Sequence, residues 1–397
     1  MPEAYIIDAV RTPRGSLAHL HPQVLGATVL KALKDRNNLK TEEVDDIIWG
    51  CATQVDKQGA DLGRMSALLA GYDVKASGVT LDRFCGSGIT SVSFAAGQIM
   101  SGMEDLVVAG GTDMMSFTAS LADPTRLPLM DKDNPLLREI HPQSNQGVCA
   151  DAIATLEGIS RDATEALAVE SQKRAARAIE EGRFEKSLIP VRNEDGSIAL
   201  DREEFPRPDT SRESLAGLKA SFAALADIPV DDAGNTYRSL INRKYPDVDI
   251  QHIHHAGTSS GVVDGSAAIL LASPDYAKKQ GWKPRARIVT AINVGDCPTL
   301  MLNAPVPAAE KALDRAGLTK NDIDVWEINE AFAVVAEKFI RDLDLPRDKV
   351  NINGGAMALG HPIGATGSIL IGTALDELER SGGKYALIPM CAAGGMA

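Results

Sequence analysis

The stretch LDRFCGSGITSVSFAAGQIM, residues 81–100, contains a cysteine at the junction of two sequence patterns. Cys85 follows an apolar segment and precedes three small residues, and the residues after them have the length and apolar content of a buried helix. Small residues at this position permit a sharp turn from strand into helix. Two interpretations of Cys85 follow: a buried structural cysteine, or a nucleophile whose pKa the helix N-terminus lowers below about 8.5.

The sequence repeats itself at an offset of 279 residues. Between ALKDRNNLKTEEVDDIIWG (32–50) and ALDRAGLTKNDIDVWEINE (312–330), Leu39 aligns with Leu318 and Asp45 with Asp324, and CGSGITSV (85–92) aligns with GATGSILI (364–371). The longer pair reads as a helix end, a polar turn and a strand of acidic and apolar residues. A repeat of this length predicts a duplicated domain, in which each half of one α/β fold is built from alternating strands and helices.

Residues 116–250 differ from both copies of the repeat. ADPTRLPLMDKDNPLLREIHP (122–142) is rich in proline and charge and is predicted to be a loop, whereas residues 163–184 are predicted to form a helix. We expect this segment to be an insertion that folds over the core and contributes to substrate specificity.

Composition limits the partners and the cellular compartment. The 397-residue chain has a net charge of −13, which argues against nucleic acid as a partner. We expect no transmembrane helix, and MPEAYIIDAVRTP (1–13) reads as a first β-strand rather than a signal peptide. The five cysteines have neither zinc-site spacing nor CxxC pairing, so we expect free thiols in a reducing cytoplasm.

A second glycine-rich stretch, NINGGAMALGHPIGATGSIL (351–370), contains His361 at the equivalent strand–helix junction of the second half. A histidine in such a loop is presented to a cavity rather than packed on an apolar helix face. It is therefore a candidate base for a thiol and a candidate donor to an oxyanion. The glycines lack the spacing of phosphate-binding loops.

Two further segments place polar or nucleophilic residues at strand ends. In WEINEAFA (326–333), Asn329 follows an apolar strand and either points into a cleft or caps a helix. In MCAAGGMA (390–397), Cys391 occupies a strand end of the second half, near the same cavity. HIHH (252–255) has no cysteine or carboxylate at ligand spacing, so we expect no metal site there.

In this order along the chain, CGSG, NEAF, GHPIGATG and CAAGG resemble the four signature segments of the thiolase family. The resemblance covers nearly the whole chain and implies a thiolase-like α/β fold, with two duplicated mixed-sheet halves in five layers (αβαβα). It implies an N-terminal half of residues 1–115 plus 251–275 and a C-terminal half of residues 276–397. Residues 116–250 would then be an inserted loop domain that binds CoA and substrate.

By this resemblance, Cys85 attacks the 3-keto carbon of a 3-ketoacyl-CoA after His361 helps to generate its thiolate. Cys391 acts first as general acid and then as general base. Asn329 holds a water that, with His361, stabilises the enolate oxygen, and the backbone N–H groups of Cys85 and Ala393 stabilise the second oxyanion. The family implies no metal and no bound cofactor, because coenzyme A is a substrate.

The resemblance also implies a surface that binds CoA and substrate. RPDTSRESLAGLKASF (207–222) and HHAGTSSGVVDGSAA (254–268) look like the family's CoA-contacting segments. Arg207 and Lys219 would place positive charge beside the CoA phosphates in a chain of negative net charge. The alternative is that both are solvated surface charges and that Ser260 is a turn hydroxyl. The implied residues are Arg207, Ser214, Lys219, Phe222, Ala256, Ser260 and Phe332.

Several features depart from the family pattern. NQG (145–147) stands where short-chain thiolases carry HMG, which favours a different acyl pocket. Ala393 replaces a glycine, at a cost of about 1 kcal/mol if the position needs a positive φ. GGTDM (110–114) replaces GGMES, a change that we expect to be neutral. The family continues into a strand beyond the position of Ala397, so either the second sheet lacks that strand or the sequence is part of a longer chain.

The leading hypothesis is a degradative thiolase that cleaves 3-ketoacyl-CoA with CoA into acetyl-CoA and a shortened acyl-CoA. The alternatives are a biosynthetic acetoacetyl-CoA thiolase and, from a different class, a non-catalytic relative that binds acyl-CoA or lipid. Ketosynthases pair two histidines with one cysteine, which does not match this pattern. The family implies a homodimer or homotetramer and leaves open an association with β-oxidation enzymes.

Overall fold

The computed structural model describes residues 2–123 and 127–397. Residue 1 and residues 124–126, the latter within the predicted insertion and loop, lie outside the described residues. The strands are β1 (Tyr5–Arg11), β2 (Asp46–Gly50), β3 (Val79–Leu81), β4 (Leu106–Met114), β5 (Val191–Arg192), β6 (Ile198–Leu200), β7 (Asp264–Ala272), β8 (Ala286–Arg287), β9 (Val325–Trp326) and β10 (Ala386–Leu387). The helices are α1 (Pro22–Arg36), α2 (Leu62–Leu69), α3 (Ser87–Ser101), α4 (Met115–Ser120), α5 (Pro135–Ile140), α6 (Gln146–Leu156), α7 (Arg161–Glu180), α8 (Arg212–Ala216), α9 (Ala223–Ala226), α10 (Tyr237–Asn242), α11 (Pro274–Gln280), α12 (Pro305–Ala316), α13 (Ala333–Asp342), α14 (Ala356–Leu359) and α15 (Ile363–Ser381).

The larger sheet has the strand order β3-β2-β4-β7-β1-β8. β2 runs parallel to β3 and β4, whereas β7 lies antiparallel between β4 and β1. Every residue of β4 and β7 is buried, because helices cover both faces of the sheet. Alternate residues of β2 divide between these faces: Ile47 and Trp49 pack with α1, and Ile48 packs with α3.

The smaller sheet pairs β9 with β10 in parallel, and Val350 forms a parallel bridge to Trp326 on β9. The sequence predicted two equivalent halves, but this sheet has two strands where the larger sheet has six. A cavity of about 470 Å³ with a largely apolar lining lies between β10 and residues 286–293. In the larger sheet, β7 lies between β4 and β1, at the position that matches this cavity. The two halves therefore share their central strands but differ at this position.

The helices form three layers around the two sheets. α1 and α2 cover the outer face of the larger sheet, and α3 and α15 lie between the sheets. α12 and α13 cover the outer face of the smaller sheet, where the rings of Trp326 and Phe339 meet edge-on with centroids 5.8 Å apart. This αβαβα order confirms the predicted fold class.

The predicted duplication is visible in the element positions. Two single 3₁₀ turns, Thr41–Glu43 and Lys320–Asp322, are 279 residues apart, and β9 begins the same distance after β2. α3 and α15 are the matching helices of the two halves, and they pack directly against each other. The repeat therefore brings the N-termini of two equivalent helices to one interface.

The inserted segment is more helical than its sequence indicated. The stretch 122–142, predicted to be a loop, contains α5, because Pro135 at the first helical position starts a helix that the Asn134 side chain caps. The helix predicted over 163–184 is α7, which begins after the Ser160 cap. α7 packs on α13 and α14, so the insertion covers part of the second half.

Glycines set the spacing between α3 and α15. A Cβ atom on Gly88 would lie 2.7 Å from the carbonyl oxygen of Gly364 and 3.0 Å from the backbone nitrogen of Ser368. The Ser368 hydroxyl also donates a 2.8 Å hydrogen bond to the carbonyl of Gly88. Any side chain at Gly88 would therefore push the two helices apart.

We expect Gly88→Ala to lower the free energy of unfolding by about 1–3 kcal/mol, since its methyl group would meet backbone atoms that cannot rotate away. Gly97 is the matched control on the same helix, because a Cβ there meets no atom within 4 Å. Gly97→Ala should be neutral or stabilising by up to about 1 kcal/mol. Urea unfolding of both variants tests this, and equal effects would contradict the helix contact.

Candidate active site

Cys85 lies in a tight turn between β3 and α3. Phe84, directly before it, has a left-handed backbone with a φ of +50°, which is uncommon for a bulky residue. The hydroxyl of Ser87 accepts the Arg83 N–H at 2.8 Å and donates to the Phe84 carbonyl at 2.7 Å. These bonds hold the thiol just before the first turn of α3, with Cys85 only 6% exposed.

The resting state of Cys85 differs from the thiolate that the sequence suggested. Burial is the main cause that raises the pKa of the Cys85 thiol well above its usual range, and the Cys391 thiol, once ionised, and the Asp113 carboxylate add to it. Cys85 is therefore a neutral thiol at pH 7, and the expectation of a lowered pKa is wrong. Cys85 packs in one buried cluster with Met390, the residue before Cys391. The segments that carry the two thiols therefore meet, although they come from different halves.

His361 is held in one tautomer by its neighbours. Its Nδ1 lies 2.6 Å from the Thr366 hydroxyl oxygen, and that hydroxyl donates its own hydrogen to the carbonyl of Pro362 at 3.0 Å. The oxygen of Thr366 therefore accepts from Nδ1–H, which leaves a lone pair on Nε2. Nε2 lies 3.4 Å from Nδ2 of Asn329, which donates to it.

The His361 imidazole is neutral at physiological pH. Burial, followed by the positive charge of Arg14, lowers the pKa of His361 to about 4. A neutral ring with an unprotonated Nε2 accepts a proton once the long contact from Asn329 gives way, and it then donates a hydrogen bond from the same atom. The arrangement therefore suits both roles that the sequence left open for this histidine.

Asn329 and Cys391 occupy neighbouring chain segments at the end of the smaller sheet. The backbone N–H of Asn329 donates to the carbonyl of Pro389 at 3.5 Å, two residues before Cys391. Burial raises the pKa of the Cys391 thiol to about 12, so it is also neutral. The Oδ1 atom of Asn329 is buried and accepts no hydrogen bond from the described residues. Asn329 therefore faces His361 and does not cap a helix, because Phe332 is the N-cap of α13.

Ala393 lies in the turn that follows Cys391. The left-handed backbone of this turn falls on Gly394, with a φ of +78°, and on Gly395, with a φ of +76°. Ala393 is not among the described residues with positive φ, so alanine carries no conformational cost there.

Part of the implied CoA surface forms a contiguous aromatic cluster. The rings of Phe222 and Phe332 meet edge-on with centroids 5.9 Å apart, and the ring of His254 contacts Phe332 at 5.8 Å. The backbone N–H of half-buried Ser260 donates to the carbonyl of Ala331 at 2.9 Å, beside this cluster. The structure therefore brings Phe222, Phe332 and Ser260 together, although they come from three separate segments.

The other implied CoA residues lie on the surface. Arg207, Lys219 and Ala256 are exposed, and the Arg207 guanidinium lies over the ring of Phe205 at 6.0 Å. The Ser214 hydroxyl accepts from the backbone N–H of Ser211 at 3.0 Å and donates to its carbonyl at 2.8 Å. That hydroxyl therefore caps α8, a local role that its position in the sequence did not reveal.

Sequence reasoning missed three residues that shape this site. Thr366 orients His361, Arg14 lowers the pKa of His361, and Asp113 acts on Cys85. Glu203 from the insertion holds the Arg14 guanidinium at 2.8 Å, which fixes a buried charge close to the imidazole. The available signal was positional, because Arg14 follows β1 and Asp113 lies near the end of β4, where polar residues of an α/β sheet face a cleft.

The described residues contain no group of three or more histidine, cysteine, aspartate or glutamate side chains that could hold a metal ion. No helix in this part of the chain has the length and apolar character needed to cross a membrane.

Comparison with known proteins identifies the family. Residues 4–233 match the thiolase N-terminal domain, and residues 282–397 match the thiolase C-terminal domain. The chain therefore belongs to the thiolase family, as its motifs indicated, and it is an acyl-CoA acyltransferase.

Individual relatives match over almost their whole length. The chain is similar to the steroid 3-ketoacyl-CoA thiolase FadA6 of Mycobacterium tuberculosis, with 38% identity over 100% of this chain and 93% of the relative. It is equally similar to the 3-oxoadipyl-CoA/3-oxo-5,6-dehydrosuberyl-CoA thiolase of Escherichia coli, with 38% identity over 98% and 96% of the two chains. The crystal structure of human mitochondrial 3-ketoacyl-CoA thiolase matches with a TM-score of 0.83 and 30% identity, and the match covers 100% of this chain and 97% of that one.

The raised pKa of Cys85 predicts how its alkylation depends on pH. We expect its reaction with iodoacetamide to accelerate by about tenfold per pH unit from pH 7 to pH 9, because the thiolate fraction grows in that proportion below the pKa. Cys297 is an internal control: burial opposes its ionisation, but hydrogen bonds from Tyr245 and nearby backbone groups lower the pKa of this thiol. Its rate should level off at a lower pH.

Peptide mass spectrometry after timed labelling resolves the two cysteines in one experiment. A plateau for Cys85 at or below pH 7 would show a resting thiolate and would contradict the neutral thiol.

Proposed function

We propose that this enzyme cleaves 3-ketoacyl-CoA substrates with CoA through an acyl-Cys85 intermediate. The observation that supports it most strongly is the packing of buried Cys85 against Met390, the neighbour of buried Cys391, in a protein whose His361 is a neutral base. Thiolysis needs a nucleophile for the keto carbon and a proton donor for the departing carbon, and two thiols provide both. Relatives named as 3-ketoacyl-CoA thiolases support the substrate class.

In the first half-reaction, Nε2 of His361 accepts the thiol proton as the Cys85 sulfur attacks the C3 carbonyl. Burial favours the neutral pair before substrate binds, so charge develops only as the reaction proceeds. The C2–C3 bond then breaks with its electron pair on C2, and Cys391 donates its proton to that carbon. Acetyl-CoA leaves, and Cys85 retains the acyl group as a thioester.

In the second half-reaction, the Cys391 thiolate accepts the thiol proton of an incoming CoA. The CoA sulfur attacks the acyl carbon, the bond from that carbon to the Cys85 sulfur breaks, and the leaving sulfur regains its proton from His361. Each side chain thus returns to its starting protonation state, which gives ping-pong kinetics.

Two oxyanions need stabilisation during this cycle. Protonated Nε2 of His361 and a water held by Asn329 would serve the enolate oxygen, and the buried Oδ1 of Asn329 supports this role because it has a free acceptor. The backbone N–H groups of Cys85 and Ala393 would serve the oxygen on the acyl carbon. Preorganised donors of this kind contribute about 3 kcal/mol each to transition-state stabilisation.

Coenzyme A would approach across the aromatic cluster, with no other cofactor bound. Phe222 and Phe332 offer apolar surface for pantetheine, and Ser260 lies beside them. The exposed side chains of Arg207 and Lys219 are cations for the phosphates, whereas Ala256 and Ser214 would contact the ligand through their backbone or surface atoms.

We further propose a homodimer or homotetramer in a reducing cytoplasm, with the domain division that the sequence indicated. β3 is an edge strand, and Leu69, Val79 and Phe94 on or near it are exposed apolar side chains suited to a second copy.

The free thiols favour a reducing compartment. β7 of residues 251–275 pairs with β1 and β4, which supports assigning it to the N-terminal half. Partnership with β-oxidation enzymes would follow from a fatty acyl substrate.

We expect Cys85→Ala and Cys391→Ala each to lower kcat for thiolysis by at least about 10³-fold, because each removes a group that forms or breaks a bond in the cycle. Cys297→Ala is the matched control and should retain activity, because the proposed cycle uses neither this half-buried thiol nor its partner Tyr245. Steady-state rates with acetoacetyl-CoA, a straight-chain 3-ketoacyl-CoA of medium length, 3-oxoadipyl-CoA and a steroid-derived 3-ketoacyl-CoA test the proposal.

The outcomes of this panel separate the alternatives. Thiolysis of longer or branched substrates supports the degradative enzyme, and turnover confined to acetoacetyl-CoA would favour a biosynthetic thiolase. No turnover of any substrate, with Cys85 still protected from alkylation by acyl-CoA, would indicate a non-catalytic binding protein and overturn the proposal.

A further inference from the structure

Asp113 joins three parts of the molecule at the interface between the two halves. It lies near the end of β4 and is 1% exposed. Its Oδ2 atom accepts the backbone N–H of Ala52, which follows β2, at 2.9 Å, and the backbone N–H of Gly364 at 2.5 Å. Its Oδ1 atom accepts from Nε2 of Gln58 at 3.0 Å and from the thiol of Cys51 at 3.7 Å. Every bond comes from a different group, so the carboxylate is fully engaged.

The bond to Gly364 caps a helix from the other half of the molecule. Gly364 is the second residue of α15, so its N–H has no partner within the helix. Pro362, the N-cap residue, makes no side-chain cap bond. A carboxylate at this end also interacts favourably with the helix dipole. Asp113 therefore supplies from the first half the cap that α15 lacks locally.

The capped end of α15 carries His361. This histidine stands three residues before Gly364, and its backbone N–H donates to the carbonyl of Gly261 at 2.9 Å. Thr366, which orients the imidazole, lies two residues after Gly364 in the same first turn. A shift of the α15 N-terminus would move both the imidazole and the group that fixes its tautomer.

The site is built so tightly that no other residue fits beside the carboxylate. A Cβ atom on Gly364 would lie 2.6 Å from Oδ2 of Asp113 and 2.8 Å from the Cα of Cys51. The carbonyl of Gly364 faces the backbone of Gly111, where a Cβ would lie 2.0 Å away. Asp113 and these glycines therefore pack as one closely fitted unit at the interface between the halves.

We propose that Asp113 is a positioning residue for the reaction: by capping α15 from the first half, it holds His361 in the place where Nε2 receives the Cys85 proton. This role rests on the function proposed above. Asp113 does not touch the reacting atoms and acts through the helix that it caps. Its negative charge has a second consequence, because it adds to burial, the main cause, in opposing ionisation of Cys85 and helps to keep the resting thiol protonated.

Asp113→Asn tests the proposal, because asparagine keeps the shape but loses the charge and one of the acceptor functions. We expect kcat for 3-ketoacyl-CoA thiolysis to fall by about 100-fold with KM changed less than about twofold, since a small misplacement of a reacting group costs that much. In the same variant, Cys85 should alkylate about threefold faster or more at pH 8, because a neighbouring negative charge is gone. A defect that merely loosened the site would expose Cys391 as well, because burial also raises the pKa of that thiol. Faster alkylation confined to Cys85 therefore separates the loss of the Asp113 charge from a structural defect.

Asp324→Asn is the matched control. The Asp324 carboxylate also accepts two backbone N–H groups, those of Lys384 at 2.7 Å and Tyr385 at 3.1 Å, but at the start of β9, away from the thiols. This variant should change neither kcat nor the alkylation of Cys85 by more than about twofold. An Asp113→Asn enzyme with unchanged kcat, or with slower or equal alkylation at Cys85, would overturn the proposal.

The wild-type enzyme provides a second test if Asp113→Asn does not fold. Burial raises the pKa of Asp113 to about 6, against the opposing hydrogen bonds from Ala52, Gly364, Gln58 and Cys51. Protonation weakens the cap, so kcat should fall as pH drops through 6, and a kcat that stays constant from pH 7 to pH 5 would overturn the proposal. The alkylation arm does not depend on turnover, so an enzyme without thiolysis would contradict the proposed function and still report on the coupling of Asp113 to Cys85.

Discussion

The close approach of α3 and α15 is the contact on which the rest of this structure depends. Gly88 and Gly364 allow the two helix backbones to touch, and no residue with a Cβ could replace either without moving backbone atoms. Cys85 immediately precedes one helix and His361 the other. The duplication thus places a thiol before one helix and an imidazole before the equivalent helix, at one interface. The packing of the glycines fixes the position of the thiol relative to the imidazole.

Burial decides the protonation states at this interface. Cys85, Cys391 and His361 are all neutral, because removing a charged group from water costs more than the neighbouring dipoles return. Because these three groups are neutral before substrate binds, the resting enzyme avoids the cost of burying a charge at this site. Proton transfer then becomes part of the reaction itself, which requires accurate positioning of the base and makes the supports around it, Thr366 and Asp113, as important as the reacting atoms.

The sequence was sufficient to predict the fold class, the duplication and the family. Short motifs at equivalent positions of a repeat can be recognised from the residues alone, without knowing how the chain packs. It also grouped Asn329 with His361, which the structure brings within 3.4 Å. It failed where the outcome depends on the environment of a group. The pKa of Cys85 follows from burial rather than from the adjacent helix, and the positive φ considered for Ala393 occurs instead at the two glycines after it, which adopt it without strain. The role of Asp113 depends on a hydrogen bond across 251 residues of sequence, which no local pattern encodes.

The central claim is that one thiol, Cys85, carries the acyl group while Cys391 only moves protons. Mass spectrometry tests it most directly: the enzyme is mixed with a 3-ketoacyl-CoA in the absence of CoA, quenched in acid and digested. This account predicts that acetyl-CoA is released and that the peptide containing Cys85 gains the mass of the shortened acyl group, while the peptide containing Cys391 stays unmodified. Acylation of Cys391 or of any other cysteine, or release of acetyl-CoA with no acyl group on the protein, would contradict it.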